Sequence, residues 1–248
     1  MRISVITATY NNCIHIECCI KSVLSQTYSN IEFIVIDGGS TDGTLAIIET
    51  YKSQISVIIS EPDKGMYHAL NKGIELATGD IIGFLHSDDF FYDSNVISAI
   101  ANAFSNRNIS GIYGNLQYVN KTKTNEVVRH WQSKPFRISL LAKGWMPPHP
   151  TLFLRSSVYF ETGRFNLNYK IAADYDFMVR VLKNRQYAFQ FMPIIITRMR
   201  LGGASNKSLK NIFSKSREDY LIIKRNKIGG LLTLFMKNLS KLGQFLKK

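Results

Sequence analysis

Short continuous apolar segments alternate with amphipathic segments through the first hundred residues of the chain. The strand-like segments, rich in Ile and Val, are residues 2–8, 31–36, 56–59 and 80–85. The segments with helical spacing of apolar side chains are residues 12–26, 41–51 and 64–77. Continuous apolar strands separated by helices predict a mostly parallel sheet covered on both faces. We therefore expect a doubly wound α/β unit, in which ligands bind beyond the carboxyl ends of the strands.

A different pattern begins after residue 106. Residues 109–120 and 126–131 are typical of antiparallel strands around the polar turn KTKTN, and the prolines of WMPPHP indicate a rigid loop. The remaining predicted strands and helices are residues 151–154, 172–184, 187–199, 209–226 and 230–247. We predict one domain over residues 1–206, divided at residue 106 into two halves, and a helical tail over residues 207–248.

The composition is that of a globular protein, because 45% of the 248 residues are hydrophobic and 20% are charged. These values exclude a disordered chain and a collagen-like repeat. Cys13, Cys18 and Cys19 lie in one predicted helix, so a disulfide scaffold is excluded and a reduced, cytoplasmic compartment fits best. The N-terminus lacks a secretory pattern, and no apolar stretch reaches the roughly 20 residues of a membrane span.

The net charge of +13 is concentrated in the tail. Residues 207–248 contain eleven Lys or Arg and two acidic residues, a net charge of +9, which leaves +4 for the first 206 residues. Apolar side chains recur at helical spacing at Leu231, Leu232, Leu234, Phe235, Leu239, Leu242, Phe245 and Leu246. Lysines stand between them at Lys237, Lys241, Lys247 and Lys248. This pattern predicts a basic amphipathic helix on an anionic membrane surface; the alternative is a helix packed on the domain or on a dimer partner.

Acidic residues follow three consecutive strands of the predicted sheet. Asp37 ends the second strand, Asp63 follows the third, and Asp88 and Asp89 follow the fourth. Each acid alone would suit a turn or a helix cap. Together they lie at one edge of a parallel sheet, where like charges repel unless a cation or hydrogen-bond donors are present. Mg²⁺ and Mn²⁺ prefer carboxylate oxygens, so Asp88 and Asp89 are predicted metal ligands.

Five segments, in this order, resemble the family 2 glycosyltransferases with a GT-A fold: TATYNN, IVIDGGSTDGT, EPDKGMYHALNKGI, FLHSDD and AADYDFMVR. The resemblance covers roughly residues 2–205 and is strongest to the bacterial enzymes that build O-antigen, capsule and other exopolysaccharides. It implies an inverting, metal-dependent hexosyltransferase with a nucleotide-binding half (1–106) and an acceptor-binding half (107–206). It also implies a nucleotide-sugar donor, most often a UDP-sugar, and a glycan or undecaprenyl-diphosphate-linked acceptor at the inner face of the cytoplasmic membrane.

The resemblance also implies roles for the residues at the strand ends. Thr9 and Tyr10 match the segment that frames the base and ribose, while Asp37 and Asp63 match the acids that contact the nucleoside. Lys64 would reach a phosphate, or would be an exposed lysine in the first turn of a helix.

The triplet of His86, Ser87 and Asp88 occupies the family's DXD position. Histidine replaces the first acid, which puts a ribose or metal contact from that position in doubt. Ser87 and Asp88 remain as nucleotide contacts, and Asp88, with Asp89 behind it, is the implied ligand of Mn²⁺ or Mg²⁺.

Asp174 falls on the family's catalytic acid position and is the implied general base for the acceptor hydroxyl, although Ala173 replaces the usual Glu. Asp176 is expected to be a surface or N-cap carboxylate. Acceptor or phosphate contacts are implied for Trp145, His149, Arg198 and Arg200. Their structural alternatives are core packing for Trp145, a hydrogen-bonding role for His149, and solvent-facing positions for both arginines.

Two other classes of function remain possible at this stage. A nucleic-acid-binding protein would use the basic tail, but Tyr220, Phe235 and Phe245 stand at helix-face spacing with Leu and Ile, so no nucleic acid is expected as a partner. A nucleotidyltransferase would carry a glycine-rich basic loop after its first strand, where this chain has TATYNN. An inactive sugar-nucleotide binder is disfavoured because Asp88 and Asp174 are retained.

Overall fold

The computed structural model describes residues 1–202 and 209–242. In its first part, strands and helices alternate as predicted through β1 (Ile3–Thr9), α1 (Ile16–Leu24), β2 (Ile31–Asp37), α2 (Thr44–Thr50), β3 (Val57–Ser60), α3 (Met66–Leu76) and β4 (Ile81–Phe84). Two further elements, which were not among the predicted segments, are β5 (Phe90–Phe91) and α4 (Val96–Ala103).

The second part contains β6 (Gly111–Val119), β7 (Val127–Trp131), α5 (Ser139–Ala142), β8 (Phe153–Arg155), α6 (Ser156–Thr162), α7 (Ala173–Lys183), β9 (Phe189–Arg200), α8 (Leu209–Arg225) and α9 (Leu231–Leu242). The β6–β7 hairpin is antiparallel, as predicted for strands on either side of the polar turn KTKTN. Within the described ranges, no helix is both long and apolar enough to cross a membrane.

All nine strands of the described residues belong to one sheet. β3, β2, β1 and β4 lie side by side in that order and are parallel, as expected for the doubly wound part. Beyond β4 the sheet becomes mixed: β8 is antiparallel to both β4 and β6, whereas β6 and β9 are parallel. The order changes direction at β1, because β2 follows on one side and β4 on the other, and such a switch point opens a crevice for ligands.

The parallel strands are buried on both faces because their side chains alternate between two apolar clusters. Ile6 and Ile34 face the cluster that includes α3 and α7, whereas Val5 and Phe33 face the cluster that includes α1 and α4. This double burial explains why the strands are continuous apolar runs in the sequence.

The carboxyl ends of β1, β2 and β3 lie in register. Thr9 is opposite Asp37, and Asp37 is opposite Ser60. The segment after β4 begins at the same edge, where the backbone N–H of Leu85 donates to the carbonyl of Ile6. Every loop that the sequence marked for chemistry in the nucleotide-binding half therefore starts from one edge of the sheet.

The helical tail packs against the rest of the protein through one face. Ile222 and Ile223 of α8 are fully buried in the core cluster that contains α7, and the Thr233 hydroxyl of α9 donates to the Ala142 carbonyl at 2.8 Å. Leu234 was expected to enter a membrane, but it packs against this same cluster.

Lys237 corrects the prediction that the lysines between the apolar positions of α9 face lipid headgroups. Its side chain is buried and its Nζ lies 2.5 Å from Asp219 Oδ1. Burial lowers its pKa to about 8, although the Asp219 carboxylate partly opposes this effect. The predicted positions Phe245, Leu246, Lys247 and Lys248 lie outside the described residues, and the structure describes no side chain for Lys241 or Leu242.

Candidate active site

The loops after β1 and β2 are joined by hydrogen bonds. Asn11, which has a positive φ of 47°, donates its backbone N–H to Ser40 Oγ, and its side-chain carbonyl accepts from the N–H of Thr41. Gly39 also has a positive φ, and a Cβ there would lie 3.3 Å from the backbone nitrogen of Pro62 in the loop after β3. These contacts hold the three loops together as one surface at the sheet edge.

Asp37 lies beneath this surface and is fully buried. Its carboxylate accepts from the Ser40 N–H at 3.0 Å, from the Ser60 hydroxyl at 2.6 Å and from the Ser40 hydroxyl. A carboxylate offers about four lone-pair sites, so one acceptor position remains. The structure therefore places Asp37 at the predicted edge and shows that most of its hydrogen-bond acceptor positions are used to order the loop.

Asp63 has a freer carboxylate. Its Oδ1 lies 2.6 Å from His68 Nδ1 and 2.8 Å from Lys72 Nζ, two groups of α3. Its Oδ2 is buried and finds no hydrogen-bond partner among the described residues. Such an acceptor favours a ligand N–H or O–H at this position. Lys64 is exposed, which matches the alternative of a first-turn lysine.

Thr9 and Tyr10 lie at the same edge in different environments. Thr9 is buried, and its hydroxyl has no hydrogen-bond partner in the described part of the chain. Tyr10 is exposed, and its ring contacts the position where a Cβ of Gly38 would stand. An exposed ring beside the Asp37 loop suits stacking on a base.

Asp88 is the half-buried acid after β4, and its carboxylate accepts no hydrogen bond from the described residues. The preceding Ser87 is buried and its hydroxyl accepts from Asn12 Nδ2 at 2.8 Å. Within the described residues, no group of three or more His, Cys, Asp or Glu side chains is arranged to hold a metal ion. One free carboxylate still fits Mg²⁺ or Mn²⁺, because these ions commonly take one or two protein carboxylates together with substrate phosphates.

Asp89, the second predicted metal ligand, has a different environment from Asp88. It is fully buried, and its Oδ1 accepts from the backbone N–H of Arg200 at 3.1 Å. Burial and the neighbouring Asp88 charge raise its pKa well above the ordinary value. Asp89 thus fastens β9 beneath the turn through Oδ1, while its buried Oδ2 has no hydrogen-bond partner among the described residues, and metal contacts by Asp88 and Asp89 stay predictions.

Arg200 and Arg198 differ as Asp89 and Asp88 do, because one side chain is buried and the other is half-buried. The buried Arg200 guanidinium donates to the Asp88 carbonyl and lies 4.8 Å from the Phe90 ring centroid, so it supports the Asp88 turn from within. Arg198 is half-buried and donates from Nε to Gln117 Oε1 at 3.1 Å. Of the two arginines, only Arg198 has a side chain with access to solvent.

Asp174 stands in the first turn of α7, where the helix dipole favours a carboxylate. Its Oδ1 accepts from the Tyr67 hydroxyl at 3.1 Å and from its neighbour's N–H, that of Tyr175, at 2.8 Å. The Tyr67 hydroxyl also lies 2.9 Å from the Ile171 carbonyl. Burial and the Asp174 charge raise the Tyr67 pKa, so the phenol keeps its proton and remains a donor.

Asp176 is not the surface or capping carboxylate that we expected. It is buried and its Oδ2 accepts from Arg180 Nε at 2.8 Å, one helical turn along α7. This pair lies within α7, and the Arg180 guanidinium that Asp176 holds also donates to the carbonyls of Thr162 and Arg164, outside the helix. Of the two acids, Asp174 alone is brought to the candidate site.

His86 and His149 lie beside each other, with ring centroids 5.8 Å apart. His149 stacks on Phe84 at 5.6 Å and meets the edge of Phe165 at 5.8 Å, so it belongs to an aromatic cluster. Burial lowers the pKa of both imidazoles, that of His149 to about 4, and the nearby Asp174 charge opposes the shift in each. Burial therefore favours the neutral form of both rings.

Trp145 belongs to a second aromatic cluster. Its ring stacks on Phe136 at 6.3 Å and meets the edge of Tyr113 at 6.0 Å. The side chain is half-buried and packs against the core. This position matches the core-packing alternative, and an acceptor contact by Trp145 stays a prediction.

Residues 4–179 match the sequence profile of the family described as Glycosyl transferase family 2. The chain belongs to this family. It is 30% identical over 217 residues to a PGL/p-HBAD biosynthesis glycosyltransferase of Mycobacterium bovis, covering 86% of this chain and 82% of that protein. It is 37% identical over 119 residues to the Escherichia coli protein WfgD, a UDP-Glc:alpha-D-GlcNAc-diphosphoundecaprenol beta-1,3-glucosyltransferase, covering 48% of this chain and 47% of WfgD.

The solved structures confirm the predicted GT-A fold. S. aureus TarS 1–349 superimposes with a TM-score of 0.69 at 20% identity, covering 90% of this chain and 65% of that one. Mannosyltransferase PcManGT from Pyrobaculum calidifontis, solved with GDP-Man and Mn2+, superimposes with a TM-score of 0.66 at 17% identity, covering 92% of this chain and 65% of that one.

The aromatic burial of His149 predicts a pH effect on stability. Its pKa falls from 6.5 in the unfolded chain to about 4 in the fold, so between these values the unfolded chain binds a proton that the folded protein does not. Stability should therefore fall as the pH drops from 6.5 to 4, and His149→Phe should flatten this slope. Thermal midpoints of both proteins across the window test it, and equal slopes would contradict it.

Proposed function

We propose that this glycosyltransferase is inverting and metal-dependent, and that it transfers a sugar from a UDP-sugar to a lipid-linked glycan in bacterial surface polysaccharide assembly. The observation that carries the proposal is the fixed position of Asp174, held by the Tyr67 hydroxyl and by the first turn of α7. A single displacement requires a base in the protein for the acceptor hydroxyl, and Asp174 occupies the family's position for that base.

The donor assignment is supported by what similar proteins bind. TarS 1–349 was solved in complex with UDP-GlcNAc, and the name of WfgD specifies UDP-Glc as its donor. PcManGT was solved with GDP-Man, so the fold also accepts a purine carrier. We assign a UDP-sugar because both of these bacterial proteins, TarS and WfgD, are described with a UDP-sugar.

The nucleoside acceptors in this chain are Asp37 and Asp63. Asp63 Oδ2 is a buried acceptor with no partner in the described structure, and Asp37 retains about one free lone-pair site. Both suit N–H and O–H donors of a base and a ribose. Thr9 and Tyr10 flank this position, which supports a nucleoside site over the ends of β1 and β2.

The reaction proposed is one displacement at the anomeric carbon. The acceptor oxygen forms its bond to that carbon as the bond to the donor's diphosphate oxygen breaks, and Asp174 takes the hydroxyl proton. Asp88 would hold the divalent ion, which, when bound, supplies positive charge to the leaving diphosphate. Arg200 keeps the Asp88 turn in place by donating to the Asp88 carbonyl.

The acceptor proposal rests on the named substrate of WfgD, a diphosphoundecaprenol-linked sugar. A lipid-linked acceptor would be presented at a membrane, and the tail carries a surface that suits one. Leu231, Leu232 and Phe235 of α9 are 70%, 71% and 60% exposed, on the side of the helix opposite the buried Thr233 and Lys237. We propose that this face lies in the headgroup region of the inner leaflet.

The charge around this face supports an anionic lipid surface. Lys224, Arg225 and Lys227, at the junction of α8 and α9, are all exposed. Each cation near an anionic surface contributes about 1 kcal/mol to binding. The sequence left two alternatives for the tail, binding to lipid or packing on the domain. In α9 one face packs against the core, and the opposite face is exposed and available to lipid.

Replacement of Asp88 tests the metal assignment. Asp88→Asn should reduce transfer roughly 100-fold or more, the scale of a lost charge contact in the transition state, and a chelator should do the same to the wild-type protein. Release of nucleotide diphosphate measures both effects. Asp93→Asn, in the exposed loop before α4, is the matched control. Full activity in excess EDTA would remove the metal from the mechanism.

Replacement of Asp174 tests the base. Asp174→Asn should abolish transfer and leave donor affinity nearly intact, because the base acts on the acceptor. Turnover and donor titration on the same preparation separate the two effects. If the variant turned over normally at saturation but bound donor about tenfold more weakly, Asp174 would be a binding residue.

Replacement of two exposed apolar residues tests the membrane face. Leu232→Ser with Phe235→Ser should reduce sedimentation of the protein with vesicles of anionic phospholipid at low salt, because the apolar contact is lost while the fold keeps its packed face. Phe160→Ser, on α6 and 87% exposed, is the matched control. Equal sedimentation of all three proteins, or wild-type protein that ignores these vesicles, would contradict the proposal.

A further inference from the structure

The segment that enters α7 is held by a carboxylate from the tail. Glu218 of α8 accepts the backbone N–H of Lys170 at 3.0 Å, of Ile171 at 3.0 Å and of Ala172 at 2.8 Å. Backbone N–H groups at the start of a helix lack partners within the helix. The residue before α7, Ala172, has no side-chain cap of its own, and Glu218, from a distant part of the chain, binds the N–H groups of the three residues that lead into the helix.

The same segment leads directly to Asp174. Its Ile171 carbonyl lies 2.9 Å from the Tyr67 hydroxyl, which also reaches Asp174 Oδ1 at 3.1 Å. The N–H of Ile171 is thus held by Glu218, while its carbonyl and Asp174 Oδ1 share the single proton of the Tyr67 hydroxyl. Three positions later than Ile171, the carboxylate of Asp174 has little freedom to move while both contacts are made.

The position of Glu218 is itself fixed by a buried ion pair. Its neighbour Asp219 lies 2.5 Å from Lys237 of α9, and both side chains are buried. The Lys237 ammonium lies 3.3 Å from the ring centroid of Tyr175, the residue after Asp174. The two tail helices are therefore locked to each other and to the first turn of α7, which keeps Glu218 opposite the segment it caps.

We propose that Glu218 is a positioning residue for the reaction, which fixes the first turn of α7 so that Asp174 faces the acceptor hydroxyl. The inference rests on the proposed role of Asp174 as general base. It extends the active site to the tail, which lies beyond the segments that resemble the family and beyond the 4–179 match. Glu218 acts through the backbone of residues 170–172 and does not touch the substrate.

The test compares two carboxylates that accept backbone N–H groups, the half-buried Glu218 and the buried Glu32. Glu218→Gln keeps the size of the side chain but replaces one acceptor oxygen with an amide donor facing the segment. Glu32→Gln is the matched control: Glu32 accepts from Ser4, from the Thr78 hydroxyl and from the Thr78 N–H, at the amino end of β2, far from the proposed site. Thermal midpoint, donor Kd and kcat are measured for both variants.

Glu218→Gln should lower kcat roughly tenfold to a hundredfold, the cost of a misplaced catalytic group, with donor Kd unchanged. Glu32→Gln should lower the thermal midpoint about as much as Glu218→Gln does, but leave kcat within about twofold of the wild-type value. A wild-type kcat in Glu218→Gln, or an equal loss of kcat in Glu32→Gln, would overturn the proposal. If Glu218→Gln does not fold, Glu218→Asp takes its place with the same outcomes.

The Asp174→Asn variant separates the proposed role of Asp174 as base from the proposed role of Glu218 in positioning it. Activity in Asp174→Asn would show that the base is assigned wrongly, and the role of Glu218 would fall with it. An inactive Asp174→Asn beside a fully active Glu218→Gln would leave the proposed function intact and refute only the positioning role.

Discussion

The convergence of carboxylates at one sheet edge is the constraint on which the rest of the structure depends. Parallel strands bring Asp37, Asp63 and Asp88 to the same side of the molecule, where unpaired like charges would repel. Each acid therefore has different hydrogen-bond partners in the protein. Serine hydroxyls hold Asp37, two α3 side chains hold one oxygen of Asp63, and Asp88 is left available. The proposed donor site consists of the carboxylate oxygens that these contacts leave free to bind a ligand.

The acceptor side follows a different principle, because the proposed base must be fixed in direction. Asp174 stands at a helix N-terminus, with one phenol hydroxyl bound to it and a tail carboxylate holding the preceding backbone. The tail thus has two faces with two proposed tasks. One side of α8 and α9 supports the site, and the exposed leucine and phenylalanine face is left for the membrane.

The strands and the acidic edge were predictable because both follow from local patterns. Continuous apolar runs define buried parallel strands, and the residue after each run must lie at the carboxyl edge. The directions of side chains were less predictable than the strands and the acidic edge.

Asp88 and Asp89 are adjacent in sequence, yet one faces outward and the other holds β9, a difference that depends on Arg200, 111 residues away. Lys237 fits an amphipathic lysine by spacing, but its environment is set by Asp219. Tyr67 and Glu218 lie 107 and 46 residues from their partners in the α7 turn, and no periodicity indicates such pairs.

The central claim is that the carboxyl edge of β1 and β2 is the donor site and that Asp174 stands on the side of the sugar. A structure of the protein with a UDP-sugar and Mn²⁺ tests it most directly. The account predicts the nucleoside against Asp37 and Asp63, the diphosphate beside Asp88, and the sugar between Asp88 and Asp174. A nucleotide bound away from this edge, or a sugar pointing away from Asp174, would contradict it.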